Sequence, residues 1–170
     1  DVYKRQVYSV DTPWKVTFEA GKRGPEAPVV WSQLTDWMNS ENDSIKYFSG
    51  QAVYETAFTL GELPQKSLYL DLGHVMVMAK VTLNGQYVGG VWTFPYRLNV
   101  TEYLKKGENK LEITVVNNWQ NRLIGDQHLP EDQRPTWTTI NPWKADSPLQ
   151  SSGLLGPVEI QAFDYEIIKP

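Results

Sequence analysis

Cysteine is absent from this 170-residue sequence, which excludes a disulfide scaffold, a thiolate nucleophile and any cysteine-ligated zinc or iron–sulfur centre. Histidine is scarce: only His74 and His128 occur, without HExxH or HxH spacing, so a histidine-based zinc site has no footing. Long hydrophobic runs are missing too. Stretches such as Val75-Met76-Val77-Met78-Ala79 fall far short of the roughly 18 to 20 residues that span a bilayer, so no membrane span is expected. Charge of one sign is not concentrated anywhere. Sixteen Lys and Arg stand against 20 Asp and Glu, a net charge of −4 spread along the chain without a basic stripe, which makes nucleic acid a poor partner. No GxSxG elbow, GxxxxGK[ST] loop or GxGxxG after a strand is found, removing the usual signatures of acyl transfer and nucleotide chemistry.

What the sequence does contain favours β structure. Seven Trp, nine Tyr and five Phe make it aromatic-rich, and 11 Pro with 12 Gly interrupt it too often for long helices. Trp14, Val16, Phe18 and Ala20 alternate with polar residues, and Tyr54, Thr56, Phe58 and Leu60 alternate with Val53, Glu55, Ala57 and Thr59. Ser67 to Leu72 reads as a further short strand, and Val75, Val77, Ala79, Val81 and Leu83 as one long strand. That run ends at Asn84-Gly85, the pair best suited to a type I′ hairpin turn, before Tyr87-Val88. Leu111, Ile113 and Val115 follow an expected turn at Lys106 to Asn109, and Val158, Ile160 and Ala162 alternate near the end. One short helix is expected at Trp31 to Met38, with Trp31, Leu34 and Met38 on a shared face. The pattern predicts an all-β fold over residues 1–170, a single domain of two packed antiparallel sheets, a sandwich or jelly roll. Residues 1–6 have neither a start Met nor an apolar signal core; they read as a flexible lead, and the chain as part of a longer protein.

The anomaly is the segment from Gly125 to Gly153, which shows no periodicity yet carries Trp137, Trp143, Leu129 and Ile140. Irregular stretches beyond about 12 to 15 residues are usually functional or disordered, and large apolar anchors point to an ordered, functional loop. Its acids Asp126, Glu131 and Asp132 are the available candidates for the carboxylate pair of a glycosidase, although such acids equally cap turns. Asn39 to Ser44 clusters oxygen ligands without an EF-hand pattern. It reads as a solvated loop, and a structural calcium is the one metal left open; no other cofactor is expected.

Aromatic and amide chemistry remains. Trp92, Tyr96, Trp119, Trp137 and Trp143 accompany Asn117, Asn118, Gln120, Asn121 and Arg122. Aromatic faces cover the apolar face of a pyranose while amides and Arg meet its hydroxyls. The same tryptophans equally suit a sandwich core or loop anchors. Pro95, Pro135 and Pro142 lie beside or near aromatics, stiffening any platform built there.

Several stretches resemble a known family. Ile45 to Tyr54, Leu70-Asp71-Leu72-Gly73, Val81-Thr82-Leu83-Asn84-Gly85 with Val88-Gly89, and Trp92 with Phe94-Pro95-Tyr96 resemble the sugar-binding, galactose-binding-like β-sandwich domain of family 2 glycoside hydrolases. The likeness continues through Val100 to Leu104, Gly107-Glu108-Asn109 and Leu111 to Asn117. Trp119 to Asp126, Leu129 to Asp132, Thr136-Trp137-Thr138 and Ser152 to Val158 look most like the C-terminal domain of family 106 α-L-rhamnosidases. The resemblance implies a non-catalytic accessory module whose partner is carbohydrate or a catalytic domain of the same polypeptide. It also implies a site drawn from Trp92, Tyr96, Trp119, Asn121, Arg122, Asp126, Trp137 and Trp143, in an enzyme working in the periplasm or outside the cell. Since the catalytic carboxylates of such enzymes lie on a separate barrel, a small stand-alone glycosidase is the remote alternative.

The chain is therefore expected to turn over no aryl glycoside, α-L-rhamnosides included. Hydrolysis that disappears in Asp126→Asn or Glu131→Gln would overturn this expectation.

Overall fold

The computed structural model describes residues 6–163. In chain order the strands are β1 (Gln6–Ser9), β2 (Trp14–Phe18), β3 (Val29–Trp31), β4 (Gln51–Leu60), β5 (Ser67–Asp71), β6 (His74–Met76), β7 (Met78–Leu83), β8 (Gln86–Val91), β9 (Arg97–Asn99), β10 (Gly107–Val116), β11 (Gly153–Gly156) and β12 (Glu159–Phe163). Two short helices, α1 (Asp43–Lys46) and α2 (Gln120–Asp126), and 3₁₀ turns at Trp37–Asn39 and Glu131–Gln133 complete the inventory of described elements.

Alternation builds two sheets. The larger runs β3-β2-β4-β10-β7-β8 and the smaller β1-β12-β5-β9, while β11 and β6 form a separate pair. Every strand pairing is antiparallel. Trp14, Val16 and Phe18 of β2, Tyr54 and Phe58 of β4, Ala79, Val81 and Leu83 of β7, and Leu111, Ile113 and Val115 of β10 point inward from the large sheet. Leu68, Leu70 and Ile160 meet them from the small one, so a single apolar core lies between the layers.

The Asn84-Gly85 turn closes the β7–β8 hairpin with both residues at positive φ, 52° and 80°, as a type I′ turn requires. Its Asn has a second task. Asn84 Nδ2 donates to Tyr103 O and Asn109 Oδ1, and its Oδ1 accepts from Lys110 N. Asn109, fully buried, returns bonds to Lys105 and Gly107. The hairpin is thus tied to the start of β10 by two amides whose polar groups are satisfied, which makes their burial tolerable.

Five expectations need correction. No helix forms over Trp31 to Met38: Trp31 pairs with Trp14 as the end of β3, and Asp36 Oδ1 accepts from Met38 N to cap a 3₁₀ turn. The residue buried there is Trp37, off the expected stripe. The run from Val75 to Leu83 is two strands in different sheets, parted at exposed Val77; alternation reports the side a residue faces and is silent on a change of sheet. Strand β2 stops at Phe18, leaving Ala20 exposed, and β10 already begins at Gly107 inside the expected turn. Gln6 opens β1, while residues 1–5 of the expected flexible lead lie outside the described residues.

One buried hydroxyl joins the layers to the late part of the chain. Tyr54 Oη accepts from Trp37 Nε1 at 2.7 Å and from Leu154 N at 3.2 Å. Burial holds its phenol far above the usual range, so it stays neutral. Strand β5 ends at Asp71, whose Oδ1 accepts from Gly73 N, and a Cβ on Gly73 (φ 65°) would lie 2.2 Å from the Gly156 carbonyl carbon. Only glycine permits that approach.

Tyr54→Phe removes the acceptor of two buried donors, so it should cost roughly 2 to 4 kcal/mol in urea unfolding. A loss below about 0.5 kcal/mol would show that neither bond matters.

Candidate functional site

The site is assembled from three segments, two of them consecutive and the third about 100 residues earlier, together with Ser49 between α1 and β4. The first is helix α2. Asn118 Oδ1 accepts from Gln120 N at 3.2 Å and starts the helix, and Leu123 and Ile124 bury its apolar side. Gly125 allows close contact with Tyr47, since a Cβ there would fall 2.5 Å from the Tyr47 ring. Periodicity does not announce a helix in so short a stretch, and of the neighbouring amides Asn117 binds Gly50 N and Phe48 O instead. The local signal for it is Asn118, whose side chain closes a turn onto Gln120 N just before the helix.

The second segment is the irregular stretch between α2 and β11, and polar side chains tie it down. Asn121 Nδ2 donates to Gln150 O and to Ser152 Oγ, and its Oδ1 accepts from Gln150 N at 2.8 Å. Asn118 and Gln120 reach Gln150 and Pro148. Arg134 Nε donates to Leu129 O, and Ser152 N donates to Asp36 Oδ1. Asp126 is 1% exposed; its Oδ2 accepts from Thr136 N at 3.1 Å. Its Oδ1 stands 3.7 Å from Arg122 Nη1, an ion pair beyond hydrogen-bond reach. Burial pulls the Arg122 pKa down; Asp126 opposes that pull, and Arg23 adds to it.

The third segment is the turn after β2, where Gly21 and Arg23 both take positive φ. Gly24 anchors this turn to the core, because a Cβ there would sit 2.7 Å from Phe18 Cβ and 2.8 Å from the Phe48 ring.

Together these segments enclose a cleft of about 400 Å³. Trp119 and Trp137, 62% and 83% exposed, both line it. Arg122, Lys22, Arg23 and Ser49 line it as well, with Thr136 and Pro135 beside Trp137. Of the residues expected at a site, the structure brings Trp119, Arg122 and Trp137 together, with Asp126 buried behind Arg122. Asn121 has both amide hydrogens and its oxygen committed to the loop. Trp92, Tyr96 and Trp143 do not line this cleft. Tyr96 and Trp143 are half-buried, Tyr96 against the core, whereas Trp92 is exposed in the turn between β8 and β9. The sequence reading missed Lys22, Arg23 and Ser49. Two adjacent cations between Gly21 and Gly24 were the available signal for the first two.

Among the described residues no group of three or more His, Asp or Glu is arranged to hold a metal. In the Asn39 to Ser44 segment, Asn42 Oδ1 accepts from Ser44 N and Oγ, and Ser40 Oγ accepts from Asn42 N, so these oxygens cap α1 and its approach. Of the candidate acids, Asp126 is taken up by Arg122 and Thr136, while Glu131 and Asp132 are exposed in a 3₁₀ turn. No described helix is long and apolar enough to cross a membrane.

The family model for the glycosyl hydrolase 2 galactose-binding domain-like fold matches residues 31–147. The chain belongs to that family. A rhamnosidase from Novosphingobium sp. PP1Y is 41% identical and superposes with a TM-score of 0.85, covering 92% of this chain and 15% of that one. A putative β-glucuronidase of Formosa agariphila is 44% identical, covering 78% of this chain and 14% of its relative. A β-D-glucuronidase of Dictyoglomus thermophilum, 19% identical at TM-score 0.64 over 94% of this chain and 28% of that one, shares the fold. The chain therefore spans about one-seventh of its two more similar relatives. It is a galactose-binding-like β-sandwich domain of the kind found in large glycoside hydrolases.

In this galactose-binding-like domain Asp126 holds the irregular segment to α2 by accepting from Thr136 N, and Arg122 is its cation within the helix. Arg122→Ala would leave a buried carboxylate without its cation and should cost roughly 3 kcal/mol. Amide exchange across residues 127–152 should accelerate more than exchange in β4 and β10. Unchanged exchange in that segment would remove the pair from its tethering role.

Proposed function

We propose that this domain is a non-catalytic carbohydrate-binding module of a polysaccharide-degrading glycoside hydrolase, and that the Trp119–Trp137 cleft receives the sugar. The observation that carries this reading is the exposure of the two indoles on one cleft. Leaving two large aromatic faces in water is costly for a domain that buries Trp14 and Trp37 completely. An indole face covers the C–H face of a pyranose, and the polar wall of the cleft, Thr136 beside Trp137 included, faces its hydroxyls. The segment carrying Trp137 is already tethered, which lowers the ordering cost of binding. A rhamnosidase and a putative β-glucuronidase among its relatives support a parent enzyme acting on glycans that contain such sugars.

A second reading, docking against the catalytic domain, is favoured by a different observation. Tyr87, Trp92 and Phe94 are 63%, 69% and 77% exposed on the edge strand β8 and the turn after it. An exposed apolar group of this size marks a contact surface. The two roles use different residues and are compatible in one domain.

Calorimetric titration with a panel of neutral and acidic oligosaccharides tests the first reading. Trp119→Ala and Trp137→Ala should each weaken binding roughly ten-fold, as expected for about 1 to 2 kcal/mol of lost aromatic contact, with little change in Tm. Binding that survives both changes, or that depends on Trp92 instead, would move the site elsewhere.

A further inference from the structure

The walls of the cleft carry a charge that binding to neutral sugar does not need. On a chain with a net charge of −4, Lys22, Arg23 and Arg122 line this one cleft, and no acidic residue does. Acids lie behind or beside the cleft rather than on its walls. Asp126 is buried behind Arg122, and Glu19 Oε2 accepts from Gln51 N. Asp43 shares an adjoining pocket with Arg23 and Arg122. Among the described residues, Lys22 and Arg23 form no ion pair and no side-chain hydrogen bond.

Two further observations converge on the same walls. Arg23 has φ 61°, a left-handed conformation that costs a non-glycine residue about 1 to 2 kcal/mol, and the turn that imposes it is pinned to the core through Gly24. Its cation is thus placed beside Arg122 despite their mutual repulsion. Ser49 Oγ and Arg122 Nη2, like Asp126 Oδ1 beside Arg122, are each shielded from solvent without a hydrogen-bond partner, and Ser49 and Arg122 line the cleft. Unpaired buried polar groups of this kind are rare in folded proteins, and those of Ser49 and Arg122 lie directly behind the cleft wall.

We propose that the cleft selects a sugar unit bearing an anionic substituent, a carboxylate or a sulfate ester, with Lys22, Arg23 and Arg122 receiving the anion and Trp119 and Trp137 holding the ring. This selection rests on the carbohydrate-binding reading and narrows it to acidic glycans. A planar carboxylate or a sulfate oxygen pair matches the fork of a guanidinium. Two exposed cations beside it raise the local concentration of such ligands at low salt.

The test uses the 170-residue chain and matched probes: tetragalacturonate, its fully methyl-esterified form, a sulfated carrageenan tetrasaccharide and neutral galactotetraose. Tetragalacturonate should bind roughly ten-fold tighter than its ester at low ionic strength, and the preference should shrink in about 0.5 M salt. In the double variant Lys22→Gln, Arg23→Asn the acid-to-ester ratio should fall to within about two-fold. Asn is used at position 23 because it accepts the left-handed backbone. If the carrageenan probe binds instead, with the same dependence on Lys22 and Arg23, the anion is a sulfate ester and the proposal stands. Equal affinity for acid and ester, with binding still lost in Trp119→Ala, overturns the anion selection and leaves the carbohydrate reading intact. Failure of all four probes to bind overturns both.

Discussion

The buried carboxylate of Asp126 is the interaction on which the cleft depends. It joins Arg122, one turn earlier on α2, to the backbone of Thr136 in the middle of the irregular segment. That contact fixes Trp137 next to Thr136 and directs the Arg122 side chain, so two cleft walls share one anchor. Asn121 provides the second tie by closing a ring of bonds with Gln150 and Ser152. Segments of this length without secondary structure hold together only when their backbone groups find partners, and here α2 supplies many of them.

This division of labour explains why Trp119 and Trp137 remain free. Large apolar anchors would be needed if hydrophobic burial ordered the segment. Polar tethers do that work instead, while Trp14, Trp37, Phe18 and Phe48 form the aromatic end of the core. Trp37 also links the two regions, because its indole donates to Tyr54 and its backbone N donates to Ser152 O. Residue 152 is therefore held from the core side and from α2 at once.

Much of the sandwich was legible in the sequence because its signals are local. Period-two alternation gave the inward faces of β2, β4, β7, β10 and β12, and Asn84-Gly85 gave its hairpin with the turn type. The resemblance to galactose-binding-like domains pointed the same way. The break at Val77 was hidden, since an alternating run looks identical whether it stays in one sheet or changes to another. The short apolar stripe at Trp31 to Met38 misled because Trp31 is claimed by pairing with β2, a non-local contact that outweighs weak helical spacing. At the site, Trp119, Arg122 and Trp137 were recognisable as chemistry suited to sugars. Their convergence with Lys22 and Arg23, about 100 residues away in sequence, depends on Gly24 packing against Phe18 and Phe48, which no periodicity encodes.

The central claim, that the Trp119–Trp137 cleft is where this galactose-binding-like domain meets its glycan, is tested most directly by following the seven tryptophan indole N–H resonances during titration with tetragalacturonate. The account predicts shifts at Trp119 and Trp137, while Trp14 and Trp37 stay in place because they are buried in the core. Shifts confined to Trp92 and its neighbours, with Trp119 and Trp137 silent, would contradict it.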